Sequence, residues 1–261
     1  MLKKIKEKNF ANGIVYLLET KDGYKVETTD SFLPYYTKEC INQSNMLADY
    51  ELGSRLERWM IGVSVMSGCP VGCKFCATGN MKKYKNLTAQ EIAAQVDFVI
   101  KQNPKYRFDK AKEYKINYTR MGEPFLNIEN VKGAIDIIEK KYPGTHHYIS
   151  TVGIKDSDFS WIQKNITLQI SVHSLDEEKR DWLIPYSKKM SLESLGQIRT
   201  QSNLKTTVNM TLVDEKDFSI DVLKGLFSND NFFIKLSPIN PNEFSLGNGL
   251  KQGAVEGVNL L

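Results

Sequence analysis

The stretch "WMIGVSVMSGCPVGCKFCATG", residues 59–79, passes from a short apolar run into a glycine-flanked loop that holds three of the four cysteines in the chain. The run 59–66 reads as a buried strand. The loop has the spacing Cys69-x-x-x-Cys73-x-x-Cys76, with Phe75 directly before the last cysteine. Three thiols so spaced can reach three corners of a metal centre without a long chain closure. Buried packing cysteines do not come in threes among glycines. A structural zinc ion is a competing reading, but it wants a fourth ligand, which only Cys40 or a histidine offers, and the usual pair-plus-pair spacing is missing. An iron–sulfur cluster with three protein ligands leaves one iron open, and an open iron is a site for chemistry.

Outward from this loop the pattern alternates. Residues 87–102 have the apolar spacing of an amphipathic helix with Thr88 as its N-cap. Strand 114–121 precedes helix 127–142, which stops before Pro143-Gly144. Strand 146–154 precedes a short helical piece in "DSDFSWIQK". Strand 166–174 leads through "DEEKRDWLIPYSKK" to helix 192–201, strand 205–213 precedes helix 220–227, and strand 232–240 comes last. Six strands alternating with helices predict an α/β fold with a parallel sheet, open or curled into a partial barrel. Sites in such sheets form at the C-terminal ends of the strands. That is where "MGEP", "STVG", "SVHS" and "SPINP" fall, together with the cysteine loop.

Before the first of these strands, residues 10–29 read as a hairpin turning at Asp22-Gly23, and 30–58 carry no clear pattern. The expected division is an N-terminal β-hairpin extension over 1–58, a barrel over 59–241 and a short tail over 242–261. A net charge of +4 tolerates an anionic ligand or nucleic acid without arguing for either. The lysine-rich runs at 2–8 and 81–85 read as solvated faces, and His146 and His147 as structural. No run approaches the about 18 apolar residues that span a bilayer, and no secretory signal is evident. The chain is therefore expected in the cytoplasm, where clustered cysteines mean metal or catalysis more often than disulfides.

The motifs resemble those of the radical S-adenosylmethionine (SAM) enzymes, whose signature C-x-x-x-C-x-aromatic-C follows the first strand of a partial (β/α)6 barrel. The closer resemblance is to the RlmN/Cfr group of ribosomal RNA adenine methyltransferases. It rests on "GCPVGCKFCATG", "NLTAQEIAAQV", "MGEPFLN", "ISTVGI", "ISVHSLDEEKRDWLIP" and "SPINP", in matching order over 59–241. The resemblance implies a 4Fe–4S cluster on Cys69, Cys73 and Cys76, with SAM chelated to the open iron and cleaved by one electron to methionine and a 5′-deoxyadenosyl radical. It also implies an electron donor such as flavodoxin or ferredoxin, and no membrane. Around SAM it implies a close backbone approach at Gly122, a carboxylate at Glu123 for the methionine ammonium and a stiffened turn at Pro124. Ser150 would reach SAM's polar groups, and Ser171 and His173, on one face of the fourth strand, its ribose or carboxylate. Asn240 on the last strand would bond the adenosyl end, and Phe75 would face the adenine.

The chain also departs from that group. Its members use two extra cysteines, one seven residues before the cluster's first, where this chain has Gly62, and one near the C-terminus, where it has none. Cys40 matches neither. Their N-terminal helical RNA-binding domain and final catalytic loop have no counterpart in the residues before 59 and after Pro241. In the hairpin, "DGYKVETT" is similar to the segment carrying a proposed proton acceptor, here Glu27, and Arg120 stands where the group has glycine. Three readings follow. The first is a radical SAM enzyme acting on a small molecule or peptide in preference to RNA, with its pocket near Arg120 and Glu27. The second is an RNA methyltransferase that needs a partner, and the third a non-catalytic SAM or iron–sulfur binding protein.

Overall fold

The structure is a computed structural model and describes residues 2–34, 52–81, 83–211, 213 and 218–251. Cys40 lies outside the described residues. Strands β1 (Lys3–Phe10), β2 (Gly13–Glu19), β3 (Lys25–Leu33) and β4 (Arg58–Val63) are followed by the two-residue strands β5 (Met66–Ser67) and β6 (Lys85–Asn86). Then come α1 (Ala89–Gln102), β7 (Glu113–Tyr118), α2 (Ile128–Lys141), β8 (His146–Thr151) and β9 (Ile166–Ser171). The chain continues through α3 (Glu177–Leu183), α4 (Leu192–Gly196), β10 (Thr206–Thr211), α5 (Ile220–Leu226), β11 (Phe232–Ser237) and α6 (Glu243–Gly247). Among the described residues no helix is long and apolar enough to cross a membrane.

The chain forms two compact units. The first comprises Met1–Val65, Leu87–Arg120 and Glu129–His147. In it β1, β2, β3 and β4 are antiparallel neighbours, and β4 pairs in parallel with β7. Alternation decides what each face does: Tyr16, Leu18, Val26, Ile61 and Val63 are buried, while Val15 and Leu17 stay half-exposed. Helix α1 begins with a capping box, Thr88 accepting from the Glu91 amide while the Glu91 carboxylate accepts from the Thr88 amide. It buries Ile92, Val96 and Val99, and Phe98 meets Tyr16 edge-on at 5.2 Å. A buried carboxylate of this face, Asp30, accepts from Arg55, Trp59 Nε1 at 2.8 Å and Asn103 at 2.9 Å, which offsets the cost of its desolvation. His147 is structural, as expected, buried between Tyr118 Oη and Glu139, each at 3.0 Å.

The second unit comprises Met66–Asn86, Met121–Ile128 and Tyr148–Leu261. Here β9, β10 and β11 run parallel, with β8 beside β9. The six strands β4, β7, β8, β9, β10 and β11 end up to three residues sooner than their sequence patterns suggest, so several motif residues stand in loops beyond them. The helix expected in "DSDFSWIQK" is absent: Asp156 takes the left-handed conformation, φ +62°, and the Asp158 carboxylate accepts from the Ser160 amide at 2.8 Å. Local bonds of this kind satisfy the backbone without a helix. Helix α4 stops at Gly196 rather than running to 201, its last carbonyls taken by the Gln197 amide and, at Gly196, by Arg199 Nη1. Conversely, "DEEKRDWL" does hold a helix, α3, capped by Asp176 accepting from the Lys179 amide at 2.7 Å.

Candidate SAM and cluster site

The cysteine loop belongs to the second unit and is pinned from two sides. The Lys74 amide donates to the Leu183 carbonyl at the end of α3, at 2.9 Å. The Lys74 carbonyl accepts from Asn248 Nδ2 at 2.9 Å, and the Phe75 carbonyl from Asn242 Nδ2 at 3.0 Å. Gly72 turns the loop in the left-handed region, φ +73°, which a side chain would resist. Cys73 is buried, Cys69 and Cys76 half-buried, and all three are free thiols. Burial pushes the Cys69 thiol up to about 12, with Glu123 and Cys76 adding to the rise. Cys73 is raised well above the usual thiol range, by burial first and then by Cys76 and Cys69. Cys69 and Cys73 therefore share a desolvated neighbourhood with Cys76 close by, and a metal centre takes thiolates in place of thiols. Among the described residues no three His, Cys, Asp or Glu side chains are gathered to hold a single metal ion. A 4Fe–4S cluster fits the donor set instead, because each cysteine takes a different iron.

"MGEP" lies beside this loop. The Met66 amide donates to the Met121 carbonyl at 3.1 Å. Gly122 has φ +100°, and a Cβ there would collide with the Met66 side chain and amide; only glycine allows this approach. Glu123 caps the turn Pro124–Leu126, its carboxylate accepting from the Phe125 amide at 3.1 Å and the Val152 amide at 2.9 Å. Burial raises its pKa to about 7, opposed by these two bonds and one from Thr151. A carboxylate has acceptor capacity beyond three bonds, so Glu123 can still meet a cation.

A polar row runs along β8 to β11. Ser150 Oγ accepts from Gln169 Nε2 at 2.9 Å and stands 3.4 Å from Ser171 Oγ; Gln169 Oε1 accepts from Tyr148 Oη at 2.8 Å. Asn209, level with Ser171 in the ladder, accepts from Ser237 Oγ at 2.7 Å. The sequence reading does not single out Gln169 and Asn209, although they sit at alternate positions of neighbouring strands, Asn209 level with Ser171 and Gln169 level with Thr207. His173 is not on the strand face with Ser171: β9 ends at Ser171, and His173 is left-handed at φ +63°. Its Nδ1 accepts from the Thr211 amide at 3.0 Å, which puts the proton on Nε2. Burial lowers its pKa to about 3, and Arg180 adds to that. Arg180 is itself fully buried, donating to the Met190 and Val152 carbonyls. Phe75 meets the His173 ring edge-on at 4.6 Å. Asn240 is exposed and lies past the end of β11, in a loop and not on the strand; its carbonyl accepts from Asn242 Nδ2 at 3.2 Å.

Glu27 and Arg120 lie in the first unit. Arg120 Nη2 donates to Glu27 Oε2 at 2.7 Å, and both line a cavity of about 440 Å³ with Lys6, Lys8, Val15 and Leu17. A second cavity of about 890 Å³ opens in the other unit against Lys155, Asp181, Tyr186 and Lys189; none of the residues assigned to the cluster or to SAM lines it.

A family model described as the Radical SAM superfamily matches residues 63–223. A probable dual-specificity RNA methyltransferase RlmN of Thermosipho melanesiensis is 33% identical over 69% of this chain and 55% of its own length. The protein of the same name from Thermotoga neapolitana is 30% identical over 91% of this chain and 65% of its own. The chain thus spans about half to two thirds of the length of these curated relatives. A radical SAM methyltransferase from Sphaerobacter thermophilus superposes with a TM-score of 0.66 over 98% of this chain and 76% of its own, at 22% identity. The expected fold, a partial (β/α)6 barrel of the radical SAM type preceded by antiparallel hairpin strands, is borne out. The expectation of a small-molecule or peptide substrate in preference to RNA is overturned: the relatives are named as RNA methyltransferases.

Proposed function

We propose an activity for this chain from one premise: it belongs to the radical SAM superfamily. Its activity is methyl transfer from SAM to RNA. Cys69, Cys73 and Cys76 would hold a 4Fe–4S cluster, which would supply one-electron reduction of SAM and a free coordination site for its amino acid end. The family uses this cofactor pair, and the observation that carries the reading is the grouping of three thiols with Glu123 in one unit, close enough that Glu123 raises the Cys69 and Cys73 thiols.

The remaining steps fall to the chain's own side chains. Glu123 would take the methionine ammonium in a charge-assisted bond, with Gly122 keeping the backbone close and Pro124 fixing the turn. Ser150 and Ser171 would bond the ribose or the carboxylate, and neutral His173 would donate from Nε2. Phe75 would set a ring edge and backbone against the adenine, and Asn240 a polar group at the adenosyl end. Glu27 would accept a proton from the RNA base, its carboxylate positioned by the Arg120 guanidinium at 2.7 Å. RNA as substrate is supported by the names of the relatives. A reducing cytoplasm suits three free thiols.

The test uses protein reconstituted anaerobically with iron and sulfide, dithionite, methyl-labelled SAM and protein-free ribosomal RNA. Expected are 5′-deoxyadenosine and label in the RNA. Deoxyadenosine without labelled RNA would remove the substrate class. S-adenosylhomocysteine alone would remove the radical mechanism. Alanine at Cys69, Cys73 or Cys76 should each abolish the cluster absorbance, and alanine at Cys40 should leave it.

A further inference from the structure

Strand β1 carries Lys3, Lys4, Lys6 and Lys8 against a single acid, Glu7, and is exposed along its whole length. Lysines on an edge strand commonly serve to block strand addition, and for that purpose either face would do. Here their placement is specific. Lys4 stands opposite Leu18, but a bulge follows and Lys6 stands opposite Leu17, Lys8 opposite Val15 and Phe10 opposite Gly13. Without the extra residue, Lys6 would fall on the face of Tyr16 and Leu18, which is buried. The bulge sends Lys6, Lys8 and Phe10 to the half-exposed face of Val15 and Leu17, and leaves Lys4 to pair with Glu7 at 2.8 Å on the other.

That face joins three features. Its floor is apolar and open to solvent, with Val15 and Leu17 half-exposed. Its rim carries Lys6 and Lys8 with Glu7 between them in sequence, and Arg120 paired with Glu27, three cations to two carboxylates. At one end Phe10 is 51% exposed, with the Lys8 ammonium 5.1 Å from its ring centre. An exposed aromatic ring flanked by cations over an apolar floor is the combination that holds single-stranded nucleic acid: phosphates on the cations, a base on the ring. A cavity of about 440 Å³ is within the range that takes one small ligand unit, which here would be one nucleotide.

We propose that this face of β1 and β2 docks single-stranded RNA, with Lys6 and Lys8 on its phosphates and a base stacked at Phe10. The proposal rests on the RNA reading above and adds where this chain meets it.

The test measures binding of a fluorescent single-stranded RNA of about 12 nucleotides and mixed sequence to the full chain, by anisotropy, from roughly 50 to 200 mM KCl. Lys6→Ala with Lys8→Ala should weaken binding on the order of tenfold and flatten the salt dependence by about 0.7 in log–log slope per lysine. Phe10→Ala should weaken it roughly fivefold to a hundredfold with the slope unchanged. Lys132→Ala, on α2, should change nothing, and all variants should melt as the parent does. If the parent binds RNA and the β1 variants bind it equally well, the docking face is wrong and the RNA reading stands. If the parent binds anionic lipid vesicles and no RNA, both fall.

Discussion

The amide of Gly62 donates to the Thr29 hydroxyl oxygen at 3.2 Å across the ladder of β3 and β4, and that hydroxyl fills the space a side chain at position 62 would need. A Cβ there would collide with Thr29 Oγ1 and come within 3.1 Å of the Arg120 side chain. The Gly62 carbonyl is taken as well, by Thr28 Oγ1 at 2.6 Å. The glycine at a position where the RlmN/Cfr group has a cysteine is therefore matched by its neighbours. Gly62→Cys should destabilise the protein by about 1–3 kcal/mol through overpacking, read as a lowered melting temperature, and Thr29→Ala added to it should recover part of the loss. An unchanged melting temperature for Gly62→Cys alone would show that Thr29 yields freely.

Glu123 couples SAM binding to pH. In the free protein its carboxyl is raised from 4.5 to about 7 by burial, so at pH 6 it holds its proton. A raised carboxyl pKa means that the folded state keeps a proton the unfolded state has lost. Its stability contribution is present at low pH and is lost as pH rises through about 7. An ammonium arriving from SAM favours the carboxylate and expels the proton. SAM binding at pH 6 should therefore release a proton, seen as a buffer-dependent heat in calorimetry, and affinity should weaken as pH falls below about 7. Glu123→Gln should abolish the proton release and weaken binding by about 1.5–3 kcal/mol.

His173 acts in the opposite sense. Burial drops its pKa from 6.5 to about 3, so between these values the unfolded chain takes up a proton that the folded one refuses. Stability is then lost as pH falls from 6.5 toward 3, by less than about 5 kcal/mol. His173→Asn keeps an acceptor for the Thr211 amide and tolerates the left-handed backbone, while removing the titration. Its acid-unfolding midpoint should move to lower pH; an unmoved midpoint would mean that other groups govern acid unfolding.

How far the sequence could be read depended on how local each signal was. The cysteine spacing, the Thr88 N-cap and the six-strand alternation are written within short windows, and the structure has them. "DSDFSWIQK" misled because its aspartates and serine offer the backbone bonds that periodicity does not weigh. His173 misled because a left-handed residue breaks the strand alternation that placed it with Ser171. The bulge in β1 could not be read from "LKKIKEK" at all: it is set by pairing with β2, a tertiary relation that turns an apparent solvated run into a directed face. Nor did 242–251 read as more than a tail, although Asn242 and Ser245 carry a capping signature.

That tail holds the cysteine loop, and Asn242 can be tested in two halves. Its Oδ1 accepts from the Phe244 and Ser245 amides at 3.1 and 3.0 Å, capping α6, while its Nδ2 donates to the Phe75 carbonyl at 3.0 Å, one residue from Cys76. Asn242→Ala removes both functions and should cost about 1 kcal/mol for the cap alone. Asn242→Asp keeps the acceptor and loses the donor, which serves the Phe75 carbonyl and, at 3.2 Å, the Asn240 carbonyl. If the clasp steadies the loop, the aspartate variant should retain the parent's melting temperature within about 0.5 kcal/mol, yet lose reconstituted iron to a chelator several-fold faster. Iron loss at the parental rate from Asn242→Asp, with faster loss from Asn242→Ala, would assign the whole effect to the helix cap and none to the bond on Phe75.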